Sequence, residues 1–140
     1  MSTTLTPNLM TEDVNQSVAF YCDRLGFRFL AGMLASGNET PVNEFSADVP
    51  LQWAMLQREG AMVMLQLRAS IGGEYAPLAD ATVGASVSFY LEVDDLDALL
   101  AGLGEGVTTL LPDHKTFYGM REVWISDNNG YIVTLAEKVA

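Results

Sequence analysis

Two stretches of this chain share one grammar, and that repeat constrains the fold more than anything else in the sequence. Residues 13–25 place Val14, Val18, Tyr21, Cys22 and Leu25 on one face of a 3.6-residue period. Asp13 stands before that face and Gln16 follows three residues later, the spacing of a capping box. Gly26 then supplies a residue that tolerates the left-handed conformation in which many helices end. A second helix starts at Asp94 or Asp95, repeats Leu96, Leu99, Leu100 and Leu103 at i, i+3, i+4 and i+7, and stops at Gly102 and Gly104. An extended run precedes each helix, Leu5 to Met10 and Ser86 to Val93, and three more follow it. In the first half these are 27–35, 51–57 and 61–68, the last two joined by a tight turn at Glu59 and Gly60. In the second half they are 107–111, 120–126 and 131–137, with Asn128, Asn129 and Gly130 turning between the last two.

The order strand, helix, strand, strand, strand therefore occurs twice, at a period of about 80 residues, which is too long for a solenoid. The expected fold is α+β: one domain over residues 1–140, built of two tandem βαβββ modules, 4–68 and 84–138, whose curved mixed sheets surround a cup. Gly72, Gly73 and Pro77 mark residues 69–83 as the linker. Residues 36–50, with Gly37, Pro41 and Pro50, read as a long irregular loop, either a ligand contact or a tolerated insertion.

Composition narrows the function classes. Hydrophobic residues make up 49% of the 140 and charged residues 18%, which excludes intrinsic disorder. A net charge of −11 disfavours nucleic acid, whose phosphates must be neutralised by Lys and Arg, and favours a cationic small molecule, although surface acids also serve solubility. The single cysteine, Cys22, has no intrachain disulfide partner and lies on the buried helix face, where it reads as packing. Met1 to Met10 has no basic and apolar leader pattern, and no apolar run approaches the roughly 20 residues of a membrane span, so the expected location is cytoplasmic, away from membranes. One histidine and one cysteine do not make an ordinary zinc site.

Strand alternation separates the faces. Val63, Leu65 and Leu67 oppose Met62, Met64, Gln66 and Arg68, and Val133 and Leu135 oppose Ile132, Thr134 and Ala136. Phe89 and Leu91 lie under a helix, while Ser88 and Tyr90 point the other way. Thr6, Asn8 and Met10 share a side, as do Met120, Glu122, Trp124 and Ser126. A cup lined in this way mixes methionine and aromatic surface with hydroxyls and amides, the lining of a small-molecule pocket; the alternative is that Met62, Met64 and Trp124 are ordinary core.

The stretch Thr6 to Phe27, TPNLMTEDVNQSVAFYCDRLGF, resembles the first module of the vicinal-oxygen-chelate superfamily, the glyoxalase, bleomycin-resistance and dioxygenase fold. Tyr118 through Glu122, followed by Asp127 through Gly130, looks like the closing hairpin of its second module, with Asn128 where a proline is usual. The resemblance spans residues 5 to 138. It implies a divalent-metal site in enzymatic members, with ligands from the first, fourth, fifth and eighth strands. Those places fall here at Thr6, Met64, Ser88 and Thr134, or at Gln66 one pleat along, and neutral hydroxyls and a thioether are poor ligands for such ions. The expectation is a site with neither metal nor other cofactor.

What remains resembles the bleomycin-resistance branch: small, acidic, metal-free homodimers that sequester a cationic drug at the dimer interface. Pro7 matches the point at which that branch's first strand crosses between subunits, and Tyr118 holds the position of its stacking aromatic. On this reading Tyr118 and Trp124 stack on the ligand, Glu122 offers the counter-charge, and Tyr90, Phe45 and Trp53 stand nearby. Met64, Gln66, Ser88, Thr134 and Asn8 complete the lining. A second reading is a lyase, isomerase or dioxygenase-like enzyme. It uses either a metal on Gln66, His114 and Glu122, or Glu122 as base with Tyr90 as acid. In that account His114 sits in a polar segment, Pro112 to Lys115, better suited to a rim than to a ligand. A third reading is an interaction domain whose pocket has degenerated.

Overall fold

In the computed structural model, which describes residues 3–37, 40–84 and 86–139, Asp13 and Asp95 start the two main helices. Their carboxylates accept from the Gln16 and Ala98 amides at 3.1 and 3.0 Å, satisfying donors that a first helical turn leaves open. In chain order the elements are β1 (Asn8–Thr11), α1 (Val14–Ala19), β2 (Arg28–Leu34), β3 (Leu51–Arg58), β4 (Ala61–Leu67), α2 (Arg68–Glu74), β5 (Ser88–Glu92), α3 (Leu96–Leu103), β6 (Thr108–Lys115), β7 (Met120–Ser126) and β8 (Ile132–Lys138). They form two four-stranded mixed sheets, ordered β1-β4-β3-β2 and β5-β8-β7-β6. The pairs β1·β4 and β5·β8 are parallel and the rest antiparallel, so the strand–helix–three-strand order recurs as expected.

Local chemistry explains where the elements differ from the sequence reading. β1 starts at Asn8 rather than Leu5, because Pro7 has no amide to donate and supplies only its carbonyl, which accepts from Met64 N at 2.8 Å. α1 widens into a π-type turn over Phe20–Arg24 before Gly26, whose φ of 76° ends it. The 69–83 segment is not structureless: α2 packs on β1 and β4 and buries Ile71.

The 36–50 loop, of which Asn38 and Glu39 lie outside the described residues, is fastened to the helix-covered side of the first sheet. Val42 exchanges two 2.8 Å backbone bonds with Gly32. Asn15 on α1 donates to the Val49 carbonyl and accepts from the Leu51 amide, both at 2.9 Å. Phe45 consequently packs on Phe29 at 5.6 Å, the expected ligand contact having become part of the packing around the core.

One apolar cluster runs through both halves. Val14, Val18 and Leu25 join Leu56 and Leu65 from the first, and Leu96, Val133 and Leu135 from the second. Polar bonds cross the same seam. Asn128 donates to Ser17 Oγ at 2.9 Å, a bond that a proline at that position could not make. Tyr131 Oη donates to the Met10 carbonyl at 2.9 Å, and Tyr21 Oη to Asp127 at 2.7 Å. Gly84, at φ 87°, lies so close to the closing turn that a Cβ there would stand 2.5 Å from the Asn129 carbonyl oxygen.

Asp127 is buried, and burial raises its pKa while bonds from Tyr21 and the Asn129 and Tyr131 amides pull the other way; the net direction is up. Replacing Tyr21 with phenylalanine removes one donor from a buried carboxylate and is expected to cost about 1–3 kcal/mol at neutral pH. A group with a raised native pKa destabilises the fold most when ionised. The deficit in Tyr21→Phe should therefore shrink as the pH falls through the native value of Asp127, which urea denaturation at neutral and acid pH would measure.

Candidate functional site

The alternation of β7 turns Val123 and Ile125 into the core and Glu122 and Trp124 onto the opposite face. Pairing places Trp124 across from Thr134 on β8, and Thr134 across from Tyr90 on β5. On the other side, β6 pairs Leu111 with Trp124 and His114 with Glu122. Three residues of β6 thus span two of β7, a bulge at Pro112 that throws His114, rather than Asp113, onto the face of Glu122.

Glu122 is the centre of this face, its side chain only 1% exposed. Tyr118 Oη and Tyr90 Oη donate to its Oε2 at 2.6 and 2.7 Å, and Trp124 Nε1 donates to Oε1 at 3.1 Å. His114 stands edge-on to Trp124 at 5.9 Å, with Nε2 3.8 Å from Oε1. Burial by itself pushes the Glu122 carboxyl up, but the bonds from Tyr118, Tyr90 and Trp124 outweigh it and hold the pKa below the ordinary value. The same bonds keep protons on the phenols: burial and then Glu122 raise Tyr90, and the bond to Glu122 followed by burial raises Tyr118. The result is a fixed negative charge behind an aromatic surface that stays partly open, since Tyr90 and Tyr118 remain about half exposed.

A second group of the expected residues gathers on the first sheet. Asn8 pairs with Met64, and Gln66 with Trp53. Asn8 Nδ2 donates to Gln66 Oε1, and Gln66 Nε2 to Ser70 Oγ on α2, both at 2.8 Å. Asn8, Met64 and Trp53 line a shallow cavity of about 400 Å³ with Met33 and Tyr75. Asn8 Oδ1 is buried there without a hydrogen-bond partner. No hydrogen bond or ring contact between described residues joins this group to the Glu122 cluster. Ser88 is exposed one pleat from Tyr90, and Phe45 lies away from both groups.

The positions at which the superfamily resemblance implies metal ligands do not assemble into a metal site. Thr6 precedes β1, Met64 offers a thioether, and Ser88 and Thr134 offer neutral hydroxyls. Gln66 spends both ends of its amide on Asn8 and Ser70, so it would have to give up a bond to join His114 and Glu122 on an ion. Among the described residues no group of three or more His, Cys, Asp or Glu side chains is placed to hold an ion. This donor set does not fit a divalent metal.

Two sheets of this order, each parallel at one pair and antiparallel elsewhere, define the glyoxalase-like α+β fold. Solved structures share it across almost the whole chain. TioX from Micromonospora sp. ML1 is 18% identical, with 99% of this chain and 98% of that one covered and a TM-score of 0.67. A glyoxalase/bleomycin resistance protein/dioxygenase superfamily member from Sphaerobacter thermophilus DSM 20745 is 20% identical over 99% and 98%, with a TM-score of 0.68. A family enzyme from Burkholderia phytofirmans PsJN is 15% identical over 96% and 97%, with a TM-score of 0.70. The chain belongs to the Glyoxalase/Bleomycin resistance protein/Dioxygenase superfamily, whose family model matches residues 4–135. No curated protein matches it.

Proposed function

We propose that this protein is a metal-free binding protein that sequesters a cationic, partly aromatic small molecule, in the manner of an antibiotic-resistance protein. The observation that carries this reading is Glu122, a buried carboxylate whose oxygens accept from Tyr90, Tyr118 and Trp124, all three themselves partly exposed. A planar cation meets three aromatic groups and a negative charge behind them, and the protein's excess of acids draws it in. The acid–base alternative has less to stand on: the bonds that hold Glu122 below the ordinary carboxylate range and Tyr90 above the ordinary phenol range move both away from neutral pH, where general acids and bases work best.

The site closes in a cytoplasmic homodimer. Phe117 and Tyr118 at the β6–β7 turn, Leu110 on β6, Trp124, Tyr90 and Ile132 are large apolar or aromatic side chains left exposed on one module, and a partner subunit would cover them. Among the described residues no helix is long and apolar enough to cross a membrane.

A thermal-shift and calorimetric panel of planar cations tests the reading. A ligand at a hundred times its Kd should add about 2.7 kcal/mol of stability, and Tyr118→Ala should weaken its binding, with some loss of unliganded stability because Glu122 gives up one donor. If neutral and anionic compounds of the same shape stabilise the protein equally well, the cation reading fails.

A further inference from the structure

His114 and Glu122 face each other in a way their own chemistry does not satisfy. His114 Nδ1 lies 2.8 Å from the Pro112 carbonyl, which can only accept, so Nδ1 carries a proton and neutral His114 presents a bare Nε2. That nitrogen lies 3.8 Å from Glu122 Oε1. The carboxylate has about four acceptor positions. Two on Oε2 are filled by Tyr90 and Tyr118, and one on Oε1 by Trp124. The remaining acceptor of Oε1 and the bare Nε2 are two lone pairs across a gap too wide for a direct hydrogen bond. A donor placed about 2.8 Å from each would subtend roughly 85° across that separation, about 25° less than the tetrahedral angle between two N–H bonds on an ammonium nitrogen, so each hydrogen bond bends by only about 12° and stays above about 150°. The His114 side chain is 30% exposed, so the gap is reached from the solvent side of the ring.

Resting on the binding function proposed above, we infer that this gap seats the ligand's charged head, and that the head is a primary or secondary ammonium giving one N–H to His114 Nε2 and one to Glu122 Oε1. The aromatic groups alone accept any cation. The gap adds a requirement that they do not: two hydrogens on the cationic nitrogen. A tertiary ammonium has one and a quaternary ammonium none, so such ligands keep the stacking and lose the bridge.

The probes are 2-naphthylmethylammonium and its N-methyl, N,N-dimethyl and N,N,N-trimethyl forms, titrated calorimetrically at neutral pH into wild type and into His114→Phe. Phenylalanine keeps an edge against Trp124 and removes the acceptor; His114→Leu substitutes should that variant not fold. Wild type is expected to bind the primary and secondary forms about tenfold more tightly than the tertiary form, the worth of one hydrogen bond to a charged group, and more tightly again than the quaternary form. His114→Phe should bring that secondary-to-tertiary ratio close to one without weakening the quaternary form. Equal affinities in wild type, or a preference that survives His114→Phe, would overturn the inference and leave the binding function standing, the gap then holding water only. If none of the four binds, both fall.

Discussion

Leu25→Ala is expected to destabilise the protein by about 2–5 kcal/mol, lowering its melting temperature by roughly 5–15 °C, and to leave a single cooperative transition. Leu25 is fully buried where α1 gives way to Gly26. It shares its surroundings with Phe27 and Val63 of the first half and with Phe89 and Val133 of the second. Truncation removes three carbons, two of them methyls, from a site fixed on one side by β4 and on the other by β5 and β8. Neither side can collapse inward without disturbing its own ladder, so the cost should sit in the upper half of that range. The shape of the transition matters as much as its midpoint. Because the apolar cluster and the bonds from Tyr21, Tyr131 and Asn128 bind the halves together, loss of packing at the seam should melt both at once, by fluorescence and by circular dichroism alike. Two separated transitions would mean that the halves hold independent cores.

The same seam shows what the sequence made readable. Asp13 and Asp95 announce their helices because capping is a local bargain between a side chain and an amide three residues on, and nothing distant alters it. The faces of β4, β7 and β8 were legible for a related reason: a strand half covered by helix and half open must alternate, and Leu65, Val123 and Leu135 do so. What stayed hidden depended on partners far along the chain. Gly72 and Gly73 argue against a helix locally, yet α2 forms because β1 and β4 offer Ile71 a place to bury. Phe45 looked free to reach a ligand because its anchors, Asn15 and Gly32, sit far upstream.

The site was half visible in the same sense. Glu122 and Trp124 are two residues apart on one strand, so their common face follows from the sequence alone. That Tyr90 and Tyr118 converge on one oxygen depends on the register of β5 against β8 and on the turn after β6, which no local pattern encodes. His114 is the sharper case. The sequence reading ends this strand at 111, yet β6 runs on to Lys115, and the bulge at Pro112 puts His114 rather than Asp113 on the face of Glu122. Pro112 misled because a residue that cannot continue the ladder reads as a strand end, whereas here the same property makes the bulge.

Glu122→Gln is expected to weaken binding of a planar cation by about thirtyfold or more, equivalent to about 2 kcal/mol, while the protein still folds. Glutamine keeps the shape and one acceptor oxygen, and water can reach the half-exposed phenols that lose a partner, so the effect isolates the charge. Tyr118→Phe, which removes one donor and leaves the charge in place, should cost far less. The same variant carries a pH signature with a fixed sign. Glu122 has a native pKa below its unfolded one, so its contribution to stability is complete above the ordinary carboxylate pKa of about 4.3. That contribution disappears as the pH falls through the depressed native value. The stability gap between wild type and Glu122→Gln should therefore be widest from neutral pH down to mildly acid conditions and close in stronger acid. Affinity for the cation should fade over the same acid range in wild type and stay flat in the variant. A gap that widens on acidification would show that Glu122 is held as the neutral acid, and the negative charge on which the recognition of cations depends would be absent.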